Sequence, residues 1–245
     1  MFDLKDRVAL ITGGARGIGY GEVKKFVELG AKVSFCDVNP EGINTAVASL
    51  SEIGEVDGYV CDISNKEDVE KMVKAIVDKH GRIDILVNNA GIMKDAQFYK
   101  MTDEQWHQVM NINLNGTYYC AKAVVPYMME QQYGKILNTS SISPLLGNFG
   151  QANYAASKNA VIGLTRVMGK ELGKYNINVN AILPGSILTP ITDNMDPRFQ
   201  EIRLKQTALR RFGTLEDLAN VAAFLCSDWA RHITAQTIVV DAGRT

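Results

Sequence analysis

The chain has 245 residues, of which 46% are apolar and 22% charged, and this ordinary globular composition excludes intrinsic disorder as its main state. Its 26 basic and 27 acidic side chains leave a net charge of −1, so neither a nucleic acid nor a membrane is expected as a partner. Because the chain has neither an apolar run of roughly 20 residues, as a membrane span needs, nor a signal-peptide pattern, a cytoplasmic protein is expected.

Short apolar runs alternate along the chain with longer segments of helical spacing. The apolar runs are continuous, which is typical of parallel strands buried on both faces. The alternation predicts an α/β fold, with a doubly wound parallel sheet and helices on both of its faces. Strands are predicted at 7–12, 32–37, 57–61, 83–88, 135–140, 177–183 and 236–240, and helices at 18–29, 40–50, 66–79, 103–113, 115–132, 153–174 and 216–227.

No linker or repeat interrupts this pattern, so a single domain is predicted over residues 1–245. The segment 185–214 interrupts the alternation of strands and helices. Segments of this length without a strong pattern are often lids over active sites. A pair of surface helices is the alternative. The four cysteines are far apart and have apolar neighbours, so they are expected to be small buried side chains, and no metal site is expected.

A glycine-rich turn, residues 12–19 (TGGARGIG), lies between the first predicted strand and the first predicted helix. Glycines allow the backbone to approach a pyrophosphate, and the start of the helix offers N–H groups and a partial positive charge. The turn therefore predicts nucleotide binding, and the absence of a following Gly-Lys-Ser/Thr excludes a P-loop NTPase. The residues expected at the cofactor are Gly13, Arg16, Gly17, Ile18 and Gly19.

Acidic side chains after the second and third predicted strands are candidates for contacts with an adenosine. Asp37 is placed to accept hydrogen bonds from the ribose, and its charge would repel a 2′-phosphate, which favours NAD over NADP. Arg16 argues in the other direction, because a guanidinium in the turn can pair with that phosphate. Asp62 is a candidate for holding the adenine amino group, or is an ordinary turn residue.

Tyr154 and Lys158 are four residues apart on a predicted helix and so share one face. A nearby ammonium group is expected to lower the phenol pKa from about 10 toward neutrality, against the opposing effect of desolvation, so that the phenol can exchange a proton with a substrate oxygen. Ser141, at the end of a predicted strand, is placed to hydrogen-bond the same oxygen, although Ser140 and Ser143 are close alternatives. No histidine fits a Ser-His-Asp triad, which disfavours a hydrolase.

These motifs, with NNAG at 88–91 and Pro184-Gly185 followed by Thr189, resemble the short-chain dehydrogenases/reductases in order and spacing along the whole chain. The resemblance implies a Rossmann-like fold and hydride exchange between a nicotinamide and a secondary alcohol or ketone. It makes Tyr154 the general acid/base, Ser141 the group that polarises the substrate oxygen, and Lys158 the group that lowers the Tyr154 pKa and binds the nicotinamide ribose. Further roles that it implies are a water relay at Asn113, adenine contacts at Asp62 and Ile63, a place in the cofactor cleft for Asn89, and nicotinamide contacts at Pro184, Gly185, Ile187 and Thr189.

Within the family, the chain looks most like the 3-oxoacyl-acyl-carrier-protein reductases and their hydroxysteroid and sugar-alcohol relatives. The main expectation is an NAD(H)-dependent enzyme for a secondary alcohol or ketone of one of these types, as a homotetramer. The alternative is an NADPH-dependent 3-oxoacyl-acyl-carrier-protein reductase. Against it stand Asp37 and the uncharged Gln132 and Tyr175, at positions where those reductases often carry arginines. An epimerase, a dehydratase and a non-catalytic dinucleotide-binding regulator are further alternatives.

Two groups of side chains are candidates for contacts with the substrate. The first set is apolar: it either contacts an apolar or amphipathic ketone or is ordinary core packing. The second set is basic and lies in 185–214: it either contacts an acidic group of the substrate or forms a solvated surface. The C-terminal sequence DAGRT departs from the family's more usual Asn/Asp-Gly-Gly, at a strand end that often contributes to a pocket or a subunit interface. The apolar group is Met93, Ile142, Pro144, Leu145, Phe149 and Met195, and the basic group is Arg198, Arg203, Lys205, Arg210 and Arg211.

Overall fold

The computed structural model of the chain describes residues 3–188 and 197–245. Seven parallel strands form one sheet in the order β3-β2-β1-β4-β5-β6-β7. This architecture confirms the predicted α/β class, and each predicted strand is present with nearly the predicted bounds. The strands are β1 (Val8–Thr12), β2 (Lys32–Asp37), β3 (Val56–Val60), β4 (Ile85–Asn88), β5 (Gly134–Thr139), β6 (Ile177–Pro184) and β7 (Thr237–Val240).

Helices connect the strands and cover both faces of the sheet. Polar side chains set where several of them begin: the Asn65 side chain accepts a hydrogen bond from the backbone N–H of Glu67. The same helix ends at Gly81, whose φ of 74° is the left-handed conformation that favours glycine. The helices are α1 (Gly17–Glu28), α2 (Pro40–Leu50), α3 (Lys66–His80), α4 (Asp103–Met110), α5 (Thr117–Gln131), α6 (Ser143–Leu146), α7 (Ala152–Leu172), α8 (Pro197–Lys205) and α9 (Leu215–Cys226).

The core lies on both sides of the sheet because successive residues of a strand point to opposite faces. In β1, Ala9 and Ile11 pack with residues of α1, α2 and α9, whereas Val8 and Leu10 pack with residues of α3 and α5. All four residues are buried, which explains why the strand is continuously apolar. The four cysteines are buried too, as expected.

The strand order reverses between β1 and β4. From β1 the chain adds β2 and β3 on one side, and from β4 it adds β5, β6 and β7 on the other. In a doubly wound sheet, ligands bind beyond the carboxyl ends of the strands at such a reversal. The glycine-rich turn after β1 and the loop after β4 both lie there, and so this edge of the sheet is the place to look for the site.

Two parts of the chain differ from the simple helix pattern that the sequence predicts. The predicted helix 103–113 ends at Met110 and continues as a π-helical segment, Asn111–Gly116. The segment 185–214 contains α8, and its two ends are joined where Ile187 pairs with Gly213. Its role as a lid stays a prediction. Among the helices in the described part of the chain, none is long and apolar enough to cross a membrane.

Candidate active site

The turn between β1 and α1 requires its glycines. Gly13 and Gly17 have φ angles of 68° and 57°, in the left-handed region that side chains disfavour. A Cβ on Gly19 would lie 2.5 Å from the amide nitrogen Nδ2 of Asn89, so only glycine fits there. No side chain caps the start of α1. Its first N–H groups therefore suit a bound anion such as a pyrophosphate.

A cleft of about 410 Å³ opens at the strand reversal, and most of the predicted site residues line it. It runs from the turn after β1, past the ends of β2 and β3, to the tyrosine and lysine of α7. The lining also includes residues that were not predicted, such as Cys36, Cys61 and Thr139. They belong to no motif, and they reach the cleft because they lie at the ends of strands. The predicted residues in the lining are Gly13, Arg16, Gly17, Ile18, Asp37, Asp62, Ile63, Asn89, Ser141, Tyr154, Lys158, Pro184 and Gly185.

Three of the predicted residues that the structure describes do not line this cleft. Gly19 and Asn113 are buried behind it and support the residues that line it. The side chain of Ile187 is buried, and its backbone pairs with Gly213 instead of facing the cleft, so the predicted nicotinamide contact at this residue is not part of the lining. Thr189 lies outside the described residues.

Asp37 and Arg16 face the same part of the cleft, where an adenosine ribose is expected. The Asp37 Oδ1 atom accepts the backbone N–H groups of Val38 and Asn39, at 2.8 and 3.2 Å. These two bonds orient the carboxylate at the end of β2 and leave Oδ2 without a hydrogen bond from the described residues. The exposed Arg16 guanidinium has no ion pair with any residue of 3–188 or 197–245.

Asn89 holds the turn after β1 against the loop after β4. Its Nδ2 group donates to the carbonyl oxygens of Thr12 and Gly13, at 3.0 and 3.3 Å, and its backbone N–H donates to Thr12 Oγ1. Asp62 is fixed in a similar way by Ser64, whose N–H and hydroxyl both donate to Asp62 Oδ1. Both side chains thus shape the cleft through local hydrogen bonds.

Tyr154, Lys158 and Ser141 meet at the far end of the cleft. The Lys158 Nζ atom donates to the carbonyl oxygen of Thr139 at 2.6 Å and lies 5.9 Å from the centre of the Tyr154 ring. Ser141 Oγ accepts the backbone N–H of Ser143 at 3.0 Å, which orients it at the end of β5. Of the three candidate serines, Ser141 is the one whose hydroxyl interacts with the Tyr154 phenol.

Burial is the largest influence on the pKa values of Tyr154 and Lys158. Burial raises the pKa of Tyr154, the Ser141 hydroxyl opposes that rise, and the Asp95 carboxylate adds to it. Burial also lowers the pKa of Lys158, to about 8. Desolvation penalises the charged forms of both Tyr154 and Lys158. In the chain alone, Lys158 therefore does not lower the Tyr154 pKa to neutrality.

Asn113 lies in the π-helical segment and is fully buried. Its Oδ1 accepts the N–H of Ile92, while its Nδ2 donates to the Ile92 carbonyl and to Ser157 Oγ. A π-helical turn is often found at functional sites, and here it turns the amide toward the loop after β4. Asn113 thereby joins that loop to α7, which carries Tyr154 and Lys158.

A second set of polar contacts, which the sequence analysis did not predict, joins the two loops beside Tyr154. The Ser143 hydroxyl donates to Gln151 Oε1 at 2.8 Å, and Gln151 Nε2 donates to Asp95 Oδ2 at 3.1 Å. The backbone N–H of Ala96 also donates to the carbonyl of Gly150 at 2.9 Å. The one sequence signal is that Gln151 precedes Tyr154 by three residues, nearly one turn of helix.

The chain is similar over its length to known proteins. Residues 13–245 match a family model described as Enoyl-(Acyl carrier protein) reductase. The chain is 43% identical over 241 residues to the 3-oxoacyl-[acyl-carrier-protein] reductase of Thermotoga maritima, which covers 98% of each chain. It is 39% identical over 243 residues to the (2S)-[(R)-hydroxy(phenyl)methyl]succinyl-CoA dehydrogenase subunit BbsD of Thauera aromatica, over 99% of this chain and 98% of that one. A short-chain type dehydrogenase/reductase from Mycobacterium ulcerans has the same fold, with a TM-score of 0.96 at 32% identity over 99% of this chain and 90% of that one.

Proposed function

Because the chain belongs to the short-chain dehydrogenase/reductase family, whose members oxidise or reduce a CH–OH or keto group with a nicotinamide cofactor, we propose that it reduces the keto group of a 3-oxoacyl thioester. The observation that carries the proposal is the full-length likeness to the Thermotoga maritima reductase, which is named for this substrate type. The family assignment agrees with the sequence analysis. The 3-oxoacyl substrate is the one that its alternative names, and the main expectation covers it as one of several substrate types.

The residues of the cleft suit the proposed reaction. A bound reduced nicotinamide supplies the hydride. Tyr154 donates a proton to the keto oxygen as the hydride reaches the carbon, and the Ser141 hydroxyl hydrogen-bonds that oxygen and polarises the carbonyl. Lys158, held by the Thr139 carbonyl, binds the nicotinamide ribose and favours the phenolate that remains on Tyr154.

Exposed apolar side chains beside the catalytic end of the cleft support an acyl substrate. Met93, Leu145 and Phe149 are 43%, 55% and 84% exposed. Met93 lies in the loop after β4 and contacts Gln151, Leu145 lies in α6, and Phe149 lies between α6 and Gln151. Ile142, in contrast, is buried and belongs to the core. Exposed apolar groups that cluster near a site are typical of contacts with an apolar ligand. Met195, the remaining methionine of this predicted group, lies outside the described residues.

A second candidate is the reverse reaction, NAD-dependent oxidation of a 3-hydroxyacyl thioester of coenzyme A. Asp37 favours it, because an oriented carboxylate at the ribose disfavours the 2′-phosphate of NADP. The alternative expects arginines for an acidic carrier protein at Gln132 and Tyr175. These two residues lie near each other, because Asn176, which follows Tyr175 in the chain, donates to the Gln132 carbonyl. Neither side chain adds a positive charge there.

The test measures initial rates with acetoacetyl-acyl-carrier-protein, acetoacetyl-coenzyme A and a neutral acetoacetyl thioester, each with NADH and NADPH. We expect reduction of at least one thioester, and loss of turnover in Tyr154→Phe with reduced-nicotinamide binding retained by fluorescence titration. A preference for the carrier protein supports the first candidate, and a preference for coenzyme A with NAD(H) supports the second. Rapid turnover by Tyr154→Phe, or no reduction of any thioester alongside rapid reduction of a steroid or sugar ketone, would contradict the proposal.

Cofactor preference has its own prediction. Asp37→Ser is expected to raise the NADPH-to-NADH ratio of kcat/KM by about tenfold or more, because it removes a negative charge that faces the 2′-phosphate. Arg16→Gln is the matched change of opposite sign and is expected to lower the same ratio. Ratios that stay unchanged in both variants would mean that neither side chain reads the ribose.

A further inference from the structure

Three elements meet beside Gly185, which lines the cleft after β6. The backbone N–H of Gly185 donates to the Val240 carbonyl at 2.9 Å, and a Cβ on Gly185 would lie 2.7 Å from the Cα of Asp241. The N–H of Leu209, shortly after α8, donates to the carbonyl of Ala242 at 3.2 Å. The C-terminal turn 241–245 is therefore enclosed between the end of β6 and the segment that contains α8.

Two arginines of these elements act on each other, and one of them contacts Ser186, the residue after Gly185. The Arg244 Nη1 atom donates to Ser186 Oγ at 3.3 Å, and Arg244 is only partly exposed. Arg203, on α8, is also partly exposed, and it lies close enough for its charge to lower the pKa of Arg244. Neither guanidinium forms an ion pair with a residue of the described ranges.

The neighbouring basic side chains are engaged elsewhere. Lys205 pairs with Glu201 at 2.7 Å on the surface of α8. Arg211 pairs with Asp217, and Arg210 donates to the carbonyl oxygen of Lys205. Of the basic group that the sequence analysis named in 185–214, these three are thus solvated or structural, and Arg203 is the described member that joins Arg244.

Among the residues that the structure describes, Asp241 is the carboxylate whose charge acts on Arg244. Burial lowers the pKa of Arg244, the charge of Arg203 lowers it further, and Asp241 opposes both effects. The oxygens of Asp241 are already occupied, because they accept the N–H groups of Gly243 and Thr245 and the Thr245 hydroxyl. Two guanidinium groups against one carboxylate leave a net positive charge, and partly buried charges of one sign are costly unless an anion compensates them.

We propose that Arg203 and Arg244 bind an anionic group of the substrate, a carboxylate or a phosphate, beside the end of the cleft at Gly185. Guanidinium groups match both anions because their N–H donors form two parallel bonds to paired oxygens. The proposal rests on the proposed function for its thioester. It adds that the substrate carries a negatively charged group, which lies near the C-terminal turn 241–245 when the thioester is bound. The anion has two possible sources: a carboxylate on the acyl chain, or the phosphate of a phosphopantetheine arm.

Matched thioesters separate the two sources. The neutral substrate is acetoacetyl-N-acetylcysteamine, the phosphate substrate is acetoacetyl-phosphopantetheine, and the carboxylate substrate is 3-oxoadipyl-N-acetylcysteamine. We expect Arg203→Gln and Arg244→Gln to lower kcat/KM for one of the charged thioesters by about tenfold or more, with little change for the neutral one. Loss on the phosphate substrate alone identifies the phosphopantetheine arm, and loss on the carboxylate substrate alone identifies the acyl chain.

Lys205→Gln is the control, because it removes a positive charge from the same helix without touching the pair. It is expected to leave kcat/KM unchanged for all three thioesters. Arg203→Lys and Arg244→Lys keep the charge but lose the paired donors, so they are expected to fall between wild type and the glutamine variants. Equal losses on neutral and charged thioesters, or no loss on either charged one, would overturn the proposal.

A binding measurement keeps this test independent of the reaction. Inorganic phosphate or succinate is expected to raise the melting temperature of the wild-type protein more than that of the Arg203→Gln/Arg244→Gln double variant, because both proteins keep the start of α1 as a second place for an anion. If no thioester is reduced but the anion still stabilises the wild type more than the double variant, the proposed function fails and the anion site stands. If both proteins respond equally to both anions, the anion site fails whatever the reaction.

Discussion

At the scale of single residues, the surroundings of Tyr154 decide how the proposed proton is held. The pKa of the Tyr154 phenol depends on its burial, on Ser141 and on Asp95. No sequence motif indicated the effect of Asp95. Asp95 follows the NNAG turn by only a few residues, but its approach to Tyr154 depends on the Gln151 bridge between two loops. Local sequence cannot reveal such a bridge, because its partners are 56 residues apart.

Asp95→Asn is predicted to lower the pKa of Tyr154, because the substitution removes a negative charge that disfavours the phenolate. Reduction needs a protonated phenol, so the fall in kcat/KM at high pH should begin at a lower pH in the variant. The check is a pH profile of thioester reduction for both proteins. Asp78→Asn, which changes an exposed carboxylate of α3, should leave the profile in place. A profile of Asp95→Asn that matches wild type or moves to higher pH would contradict the assigned effect.

At the scale of elements, the position of α7 matters most, since this helix carries both Tyr154 and Lys158. Gly169 lets it lie close to the turn before β7: a Cβ there would be 2.7 Å from the backbone nitrogen of Ala235. Backbone cannot move aside as a flexible side chain can. The close approach therefore constrains how the helix presents its catalytic face to the cleft.

Gly169→Ala is predicted to destabilise the fold by about 1–3 kcal/mol, because the added methyl group overpacks a rigid contact. Gly173→Ala is the matched control at the end of the same helix, where nothing lies within 4 Å of the added Cβ. It should be neutral or slightly stabilising, since alanine restricts the unfolded chain. Urea unfolding of both variants measures the difference. Equal stability of the two would mean that α7 can shift without cost.

Apolar periodicity in the sequence does not predict the π-helical segment Asn111–Gly116. The sequence predicts α-helices at 103–113 and 115–132, and helical residues are indeed present over most of that range. The pattern cannot register the extra residue of a π turn, because one widened turn hardly changes apolar spacing. What stabilises it is tertiary: Asn113 bonds to Ile92 and Ser157, which belong to other elements.

At the scale of the whole molecule, a buried carboxylate links stability to pH. Glu22 on α1 is fully buried, and neither of its carboxylate oxygens has a hydrogen-bond partner among the described residues. Its charge acts on Cys226 of α9, which packs against α1. Burial raises the pKa of Glu22 from 4.5 to about 8, so the folded protein holds a proton there that the unfolded chain releases near neutrality.

The sign of the effect follows from that difference. The contribution of protonated Glu22 to the unfolding free energy is fully present below pH 4.5 and is lost as the pH rises to about 8. Between these values the unfolding free energy falls by about 1.4 kcal/mol per pH unit. Glu22→Gln cannot ionise, so its unfolding free energy should lack this slope between pH 6 and 8. Glu52→Gln, which changes an exposed carboxylate, should keep it. Parallel pH dependence of wild type and Glu22→Gln in urea unfolding would show that Glu22 is already ionised in the folded protein between pH 6 and 8, as it is in the unfolded chain.

The sequence by itself determined the order of strands and helices, the parallel α/β class and the residues of the main motifs. It could do so because apolar periodicity, glycine turns and the four-residue spacing of Tyr154 and Lys158 are local, and each is imposed by backbone geometry. The homotetramer, the lid and the assigned catalytic roles stay predictions.

Only the tertiary structure decided which alternatives hold among similar side chains. It separated Ser141 from Ser140, whose hydroxyl donates to the Lys158 carbonyl, because the fold and not the chain sets which hydroxyl meets the phenol. It also singled out Arg203 from the paired cations around it and placed it near Arg244. Desolvation, which controls the pKa values of Tyr154, Lys158 and Glu22, depends on all the atoms packed around a group, so no sequence pattern could supply it.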